Sequence, residues 1–201
     1  MRDIDETKLE LLRTIKFDKN SYIQDCVIVK DGKMIFTSGN RSMVLVYSSE
    51  GQLSKSINVG KSPFGLSVTS TNTVAVACRE DKMINIVNID DGVAMQKMHV
   101  GKSCFAHTGI MELDSVGHRI RIIPTYVPSD ECYLSSNKDK FCYTCYNRFI
   151  SCCDSNGKEI WRRGVADSGV AVDNCGNYFA ANCNKNTLYI ISADGKKQNN
   201  F

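Results

Sequence analysis

Residues 59–63 read VGKSP and residues 100–104 read VGKSC. Gly-Lys-Ser closes the phosphate-binding loop of many nucleotide hydrolases. That loop wraps backbone N–H groups around phosphate oxygens and needs a glycine five positions before the Gly-Lys pair. Here those positions are Lys55 and Gln96, so no nucleotide cofactor is predicted. The two copies lie 41 residues apart, and self-similarity at a fixed interval marks a repeat architecture.

Cys142, Cys145, Cys152 and Cys153 have the residue types of a zinc site. Strand geometry argues against one, because residues three apart, like adjacent residues, point to opposite faces of an extended strand. If Asn147 and Arg148 form a two-residue turn, Cys142 stands opposite Cys153, a cross-strand pair that could form a disulfide in an oxidising setting. Structural thiols are the expectation, with no metal. His99, His107 and His118 are the only histidines, and none has a Ser or Cys partner in a recognisable nucleophile motif. CFAH (104–107) has ligand spacing without a second pair.

These residues must be held by a fold of ordinary composition. Of the 201 residues, 42% are hydrophobic and 23% charged, which excludes disorder, and 25 basic against 22 acidic residues leave only +3. That charge alone does not imply nucleic acid. The start, MRDIDETKLELLRTIKF, lacks the apolar stretch of a secretory signal, and no window reaches the roughly 18 apolar residues of a membrane helix. A soluble cytoplasmic protein is expected, with its ten cysteines reduced.

Short alternating or apolar runs recur along the chain, among them SMVLVYS, TVAVAC, MINIVNI, FCYTC and TLYIIS, with no competing helical stripe. Turns ending at Gly51, Gly92, Gly117, Gly157 and Gly195 are spaced 41, 25, 40 and 38 residues apart. Four short strands per unit of about 40 residues predict an all-β chain, a β-propeller of four-stranded antiparallel blades, strands A (inner) to D (outer). Blade one is placed at 22–60, blade two at 62–101, a shortened blade at 102–124, the next at 131–164 and the last at 168–201, in one domain. The 25-residue interval implies that TGIMELDSVGHRIRII supplies strands C and D only, about 15 residues carrying most of A and B being absent. Closure protects strand edges in this architecture, so four to five blades with one shortened suggest a fragment or splice product, or else a compacted blade in an unusual ring. Residues 1–16 hold LELLRTI, read as the D strand of a preceding blade or a short helix.

The last repeat, SGVAVDNCGNYFAANCNKNTLYIISADGK (168–196), resembles the NHL repeat, and residues 138–161 and 26–51 are similar to blades of tripartite-motif proteins. The resemblance implies a six-bladed NHL propeller that recognises proteins or RNA, in a family whose ubiquitin-ligase activity comes from an upstream RING domain. No RING, B-box or coiled-coil pattern stands in this sequence, so ligase chemistry is implied for a parent protein at most.

Propeller topology puts B–C and D–A connections on one face and A–B and C–D turns on the other. The first would carry Arg41, Lys61, Arg79, Lys82, Lys102, Arg148, Arg162, Arg163 and Lys185, against Glu80, Asp81, Asp130, Glu131 and Asp167. The C–D turns hold Glu50, Asp90, Asp91, Asp114, Asp154 and Asp194. A basic face able to receive RNA phosphates or acidic peptide is expected, with Arg79, Arg148 and Arg162 foremost because guanidinium forks suit bidentate contacts. Charged loops kept for solubility are the plainer reading. The leading function is a non-enzymatic module binding a protein or RNA. A metal-dependent, lactonase-like hydrolase would need acids converging at the A-strand starts, where only Asp130 and Glu131 fall close together. A structural scaffold docking through open strand edges is the third reading. Trp161, the only tryptophan, is expected to pack between blades.

Overall fold

A computed structural model describes residues 4, 8–100, 109–125, 132–137, 139–145, 148–164 and 168–201. The chain divides into two compact units, one of Leu11–Cys104 with Ser115–Gly117, the other of Met1–Glu10, Phe105–Asp114 and His118–Phe201.

The first unit holds two antiparallel meanders. Blade one is β1 (Ile23–Ile28), β2 (Met34–Ser38), β3 (Met43–Tyr47) and β4 (Leu53–Asn58); blade two is β5 (Pro63–Ser70), β6 (Thr73–Cys78), β7 (Met83–Asn88) and β8 (Ala94–His99). Period-two patterning drives these strands: Val74, Val76 and Cys78 of β6 are buried, and the residues between them are not. Val44 and Val46 of β3 join them, with Ile57, Val59, Val87 and Ile89, in one core.

Among the described residues the second unit holds a hairpin, β9 (Ile110–Leu113) and β10 (Arg119–Ile123). These are the two strands expected of the shortened blade. Blade four follows as β11 (Cys132–Asn137), β12 (Lys140–Cys145), β13 (Phe149–Asp154) and β14 (Glu159–Arg163), and the last blade as β15 (Val170–Val172), β16 (Tyr178–Asn182), β17 (Thr187–Ile191) and β18 (Gln198–Asn200). CFAH (104–107), Asp130 and Glu131 lie outside the described residues.

The five closing glycines share one arrangement. All have positive φ, between 72° and 93°, and each turn lies against the segment in the outer-strand position of the preceding repeat. A Cβ on Gly92 would meet Ile57 of β4, one on Gly117 would meet Met98 of β8, one on Gly157 Ile123 of β10, and one on Gly195 the ring of Trp161 in β14. Gly51 faces Ile15 and Arg13 in the same way. Residues 13–15 thus occupy the place of a preceding D strand, yet they form neither a strand nor a helix, which corrects the expectation for LELLRTI. Without a paired C strand beside them, their backbone groups have no ladder to join. Phe17 anchors the segment edge-on to Phe36 and Tyr47, at centroid distances of 4.9 and 5.6 Å.

Trp161 packs between blades as expected. It lies edge-on to Tyr178 at 5.4 Å, and its Nε1 donates to the Ala193 carbonyl at 3.4 Å. Two buried threonines make a second link. Thr37 Oγ1 of β2 donates to the Phe64 carbonyl of β5 at 3.1 Å, and Thr144 Oγ1 of β12 donates to the Ser168 carbonyl ahead of β15 at 2.7 Å. Both threonines are fully buried, so each bond gives a buried hydroxyl a partner.

The cysteines divide by face as the strand argument requires. Cys142 and Cys152 enter the core shared with Tyr178 and Ile191, whereas Cys145 and Cys153 enter the core with Ile123 and Phe149. The expected register is wrong by one residue: Cys142 faces Cys152, and Phe141 faces Cys153. Three residues, not two, separate Cys145 from its partner Phe149, and in a sheet a one-residue slip exchanges faces. A Cys142–Cys153 disulfide is therefore excluded, the two side chains lying in different cores.

Candidate functional site

In each four-stranded meander the B–C and D–A connections leave at one end of the sheet. On blade two this end is built as a unit. The D–A turn 59–62 and the B–C turn 79–82 are joined by the Arg79 amide, which donates to the Ser62 carbonyl at 2.9 Å. The Lys61 amide donates to Asp81 Oδ2 at 2.7 Å. A Cβ on Gly60 would lie 2.6 Å from the same oxygen, so only glycine admits this approach. Lys82 adopts a left-handed φ of 52°, and its carbonyl accepts from the Val100 amide at 3.1 Å. The result places Lys61, Arg79 and Lys82 on two clamped turns, with Lys61 and Lys82 exposed. The first VGKS copy is the D–A connection between β4 and β5; most of the second, including Lys102, lies outside the described residues.

Arg148 and Lys185 occupy the matching B–C connections of blade four and the last blade, both exposed. Their amides donate to the Cys145 carbonyl at 3.0 Å and to Asn182 Oδ1 at 2.8 Å, which fixes the turns and leaves the side chains outward.

Three expected face residues are engaged elsewhere. Arg41 is in a B–C turn, but its Nη1 is 3.0 Å from Asp18 Oδ2. Arg162 and Arg163 are not in a loop at all; they end strand β14. Arg162 Nε donates to Glu159 Oε2 at 2.8 Å, and the guanidinium lies 4.0 Å from the centre of the Phe149 ring. Arg163 donates through Nη2 to the Gly195 carbonyl, in a C–D turn and so away from the basic end. Tyr143 is buried, its hydroxyl pushed up to about 12 by burial; Tyr126 and Tyr146 lie outside the described residues.

The acids at the opposite ends shape turns. Asp154 Oδ1 accepts from the Asn156 and Lys158 amides, Asp114 Oδ1 from the His118 amide and Asp194 Oδ1 from the Lys196 amide, each between 2.8 and 3.0 Å. Hydrogen bonding from Ser192 and from that amide holds the Asp194 carboxyl below the usual carboxylate range. Asp90 pairs with Lys33 at 3.0 Å, and Lys33 also reaches Asp31 at 2.7 Å. Asx-type turn chemistry, rather than a ligand, thus accounts for the acidic rows.

Sequence reasoning passed over Asp25. It lies in a bulge of β1, where its Oδ2 accepts from the Leu66 amide of β5 and its Oδ1 from the Cys26 amide, both at 2.8 Å. Burial pushes its carboxyl up. Both oxygens are committed to backbone, so Asp25 clamps two inner strands. Its position at an A-strand start was the only available signal. Asp130 and Glu131 lie outside the described residues, and among the described residues no three His, Cys, Asp or Glu gather as a metal site.

One open cleft of about 450 Å³ lies along blade four, lined by Pro124, Thr125, Tyr143, Cys153, Glu159 and Arg162. Its charged groups are spent on each other, since Glu159 accepts from both Arg162 and Ser151.

No family model matches the chain, and a search of curated proteins found no significant match. Solved structures do match. The Cps50 (Swd1) beta-propeller domain of Myceliophteria thermophila aligns with a TM-score of 0.59 at 9% identity over 86% of this chain, which spans 66% of that chain, just under two thirds. A chain in the crystal structure of a nidogen/laminin complex aligns with a TM-score of 0.67 at 12% identity, over 90% of this chain and 80% of that one. At such identities the likeness speaks to fold alone. Together with the meanders described above, it shows an all-β propeller fold of four-stranded antiparallel blades.

Proposed function

We propose that the chain is a non-enzymatic recognition module that takes an acidic segment of a protein partner at Lys61, Arg79 and Lys82 of blade two. The observation that carries this reading is the clamped pair of turns, in which Arg79 N–Ser62 O and Lys61 N–Asp81 Oδ2 bonds preset three basic side chains. Preorganised groups lose less entropy on binding, and the Asp81 carboxylate is already engaged by the Lys61 amide. Arg148 and Lys185 offer further contacts of the same kind. One similar structure is of a complex between nidogen and laminin, which favours a protein over RNA as the partner class. The kinship proposed is with NHL propellers of tripartite-motif proteins, supported by the Asp, Gly-Asn and Asp-Gly pattern of residues 168–196. Cytoplasmic residence is proposed on the same footing, supported by ten cysteines in a chain of this size.

Fluorescence anisotropy with a labelled oligoglutamate peptide tests the reading. A Lys61→Glu/Arg79→Glu/Lys82→Glu variant is expected to bind at least about tenfold more weakly, one pair's worth of charge-assisted contact. Equal binding by the variant removes this surface. Tighter binding of single-stranded RNA than of peptide at the same salt concentration moves the partner class to nucleic acid.

A further inference from the structure

Among the thiols of blade four, one pair differs from the others. Cys132 is the first residue of β11 and Cys145 the last of β12, and they are direct partners in the antiparallel register. Their sulfurs lie 3.5 Å apart. Directly opposed residues have Cβ atoms about 4.5–5.5 Å apart, close to the separation of about 3.5–4.5 Å that a disulfide spans, so a small inward turn of both side chains closes the bond. Cys145 is fully buried, but Cys132 is only half-buried, which gives a dissolved oxidant access to one sulfur of the pair. Cys142 and Cys152 are also opposed, yet both are fully buried between blade four and the last blade.

We propose that Cys132 and Cys145 form a reversible disulfide that staples β11 to β12. The inference stands on the register and the sulfur contact, and holds whether or not the basic turns bind a partner. With a low-molecular-weight disulfide such as oxidised glutathione as oxidant, the Cys132 thiolate attacks one of its sulfurs and expels one glutathione thiolate. The Cys145 thiolate then attacks the Cys132 sulfur and expels the second. Two protein thiols lose two electrons and two protons; the glutathione disulfide takes both and leaves as two thiols. The bond would fix the end of blade four from which the 146–148 connection, with Arg148, departs. In a reducing compartment the pair rests as dithiol and closes when the glutathione pool is oxidised.

The test incubates the full chain with oxidised glutathione, blocks remaining thiols with N-ethylmaleimide and maps tryptic peptides by mass spectrometry. Cleavage after Arg121, Lys138, Lys140 and Arg148 puts Cys132 in one peptide and Cys145, with Cys142, in another. The expected product is these two peptides joined, lighter than their sum by two hydrogens. It should persist in Cys142→Ser and vanish in Cys145→Ser. A joined pair that survives Cys145→Ser overturns the assignment. So does Cys132 carried through in wild type as a stable mixed disulfide with glutathione, or alkylated throughout.

Discussion

Gly195 lies on the face of the Trp161 ring: a Cβ at this glycine would stand 2.4 Å from Trp161 Cγ and 2.6 Å from Cδ1 and Cδ2. The contact is the last of a series in which each C–D turn sits on the outer strand position before it. The turn glycine serves two ends, supplying the left-handed backbone and leaving room for the neighbouring blade.

Gly195→Ala should therefore fail on both counts. A left-handed backbone costs a residue with a Cβ about 1–2 kcal/mol, and displacing a packed indole adds to it, so a loss of roughly 2–4 kcal/mol is expected. Gly169→Ala, with nothing within 4 Å of its added Cβ, should stay within about 0.5 kcal/mol. Urea midpoints of the two variants check the contrast; equal losses would mean that the seat on Trp161 contributes nothing.

Thr144→Val keeps shape and removes the hydroxyl that satisfies the Ser168 carbonyl. Removing one such hydrogen bond costs about 0.5–1.5 kcal/mol. Thr37→Val should behave alike through the Phe64 carbonyl. Chemical denaturation of each variant measures this, and neutral values would show that water replaces the hydroxyl at both junctions.

Asp25 gives a pH signature. Burial raises its carboxyl in the folded chain, so the folded state takes up this proton at a higher pH than the unfolded chain does. The associated stability is fully present below the unfolded value and is lost as pH rises through the folded one. Asp25→Asn lacks that titration. The stability of wild type relative to Asp25→Asn should therefore improve as pH falls from 7 to 4, read from urea midpoints at each pH. A constant gap would contradict the buried carboxylate.

Much of the fold was legible because turn glycines and period-two runs are local. Gly51, Gly92, Gly117, Gly157 and Gly195 mark the C–D turns among the described residues, and the 25-residue interval falls at the two-stranded sheet of β9 and β10. The register of Cys142 was not legible, since it depends on whether residues 146–148 make a connection of two residues or three. Nor were the fates of Arg41 and Arg163. Asp18 lies 23 residues from Arg41, and the Gly195 carbonyl 32 from Arg163, so only the packed chain brings the partners together. Lys61 and Lys82 stand in connections, where a lysine's place follows from the topology, and no distant acid among the described residues pairs with them.

The central claim, that the clamped turns of blade two receive an acidic protein segment, is tested most directly by amide chemical-shift mapping. Uniformly labelled chain would be titrated with an oligoglutamate peptide. Saturable shifts concentrated at Lys61, Ser62 and Arg79–Lys82 are the predicted result. Shifts confined to the C–D turns around Gly51, Gly92, Gly157 and Gly195, or none at all, would contradict it.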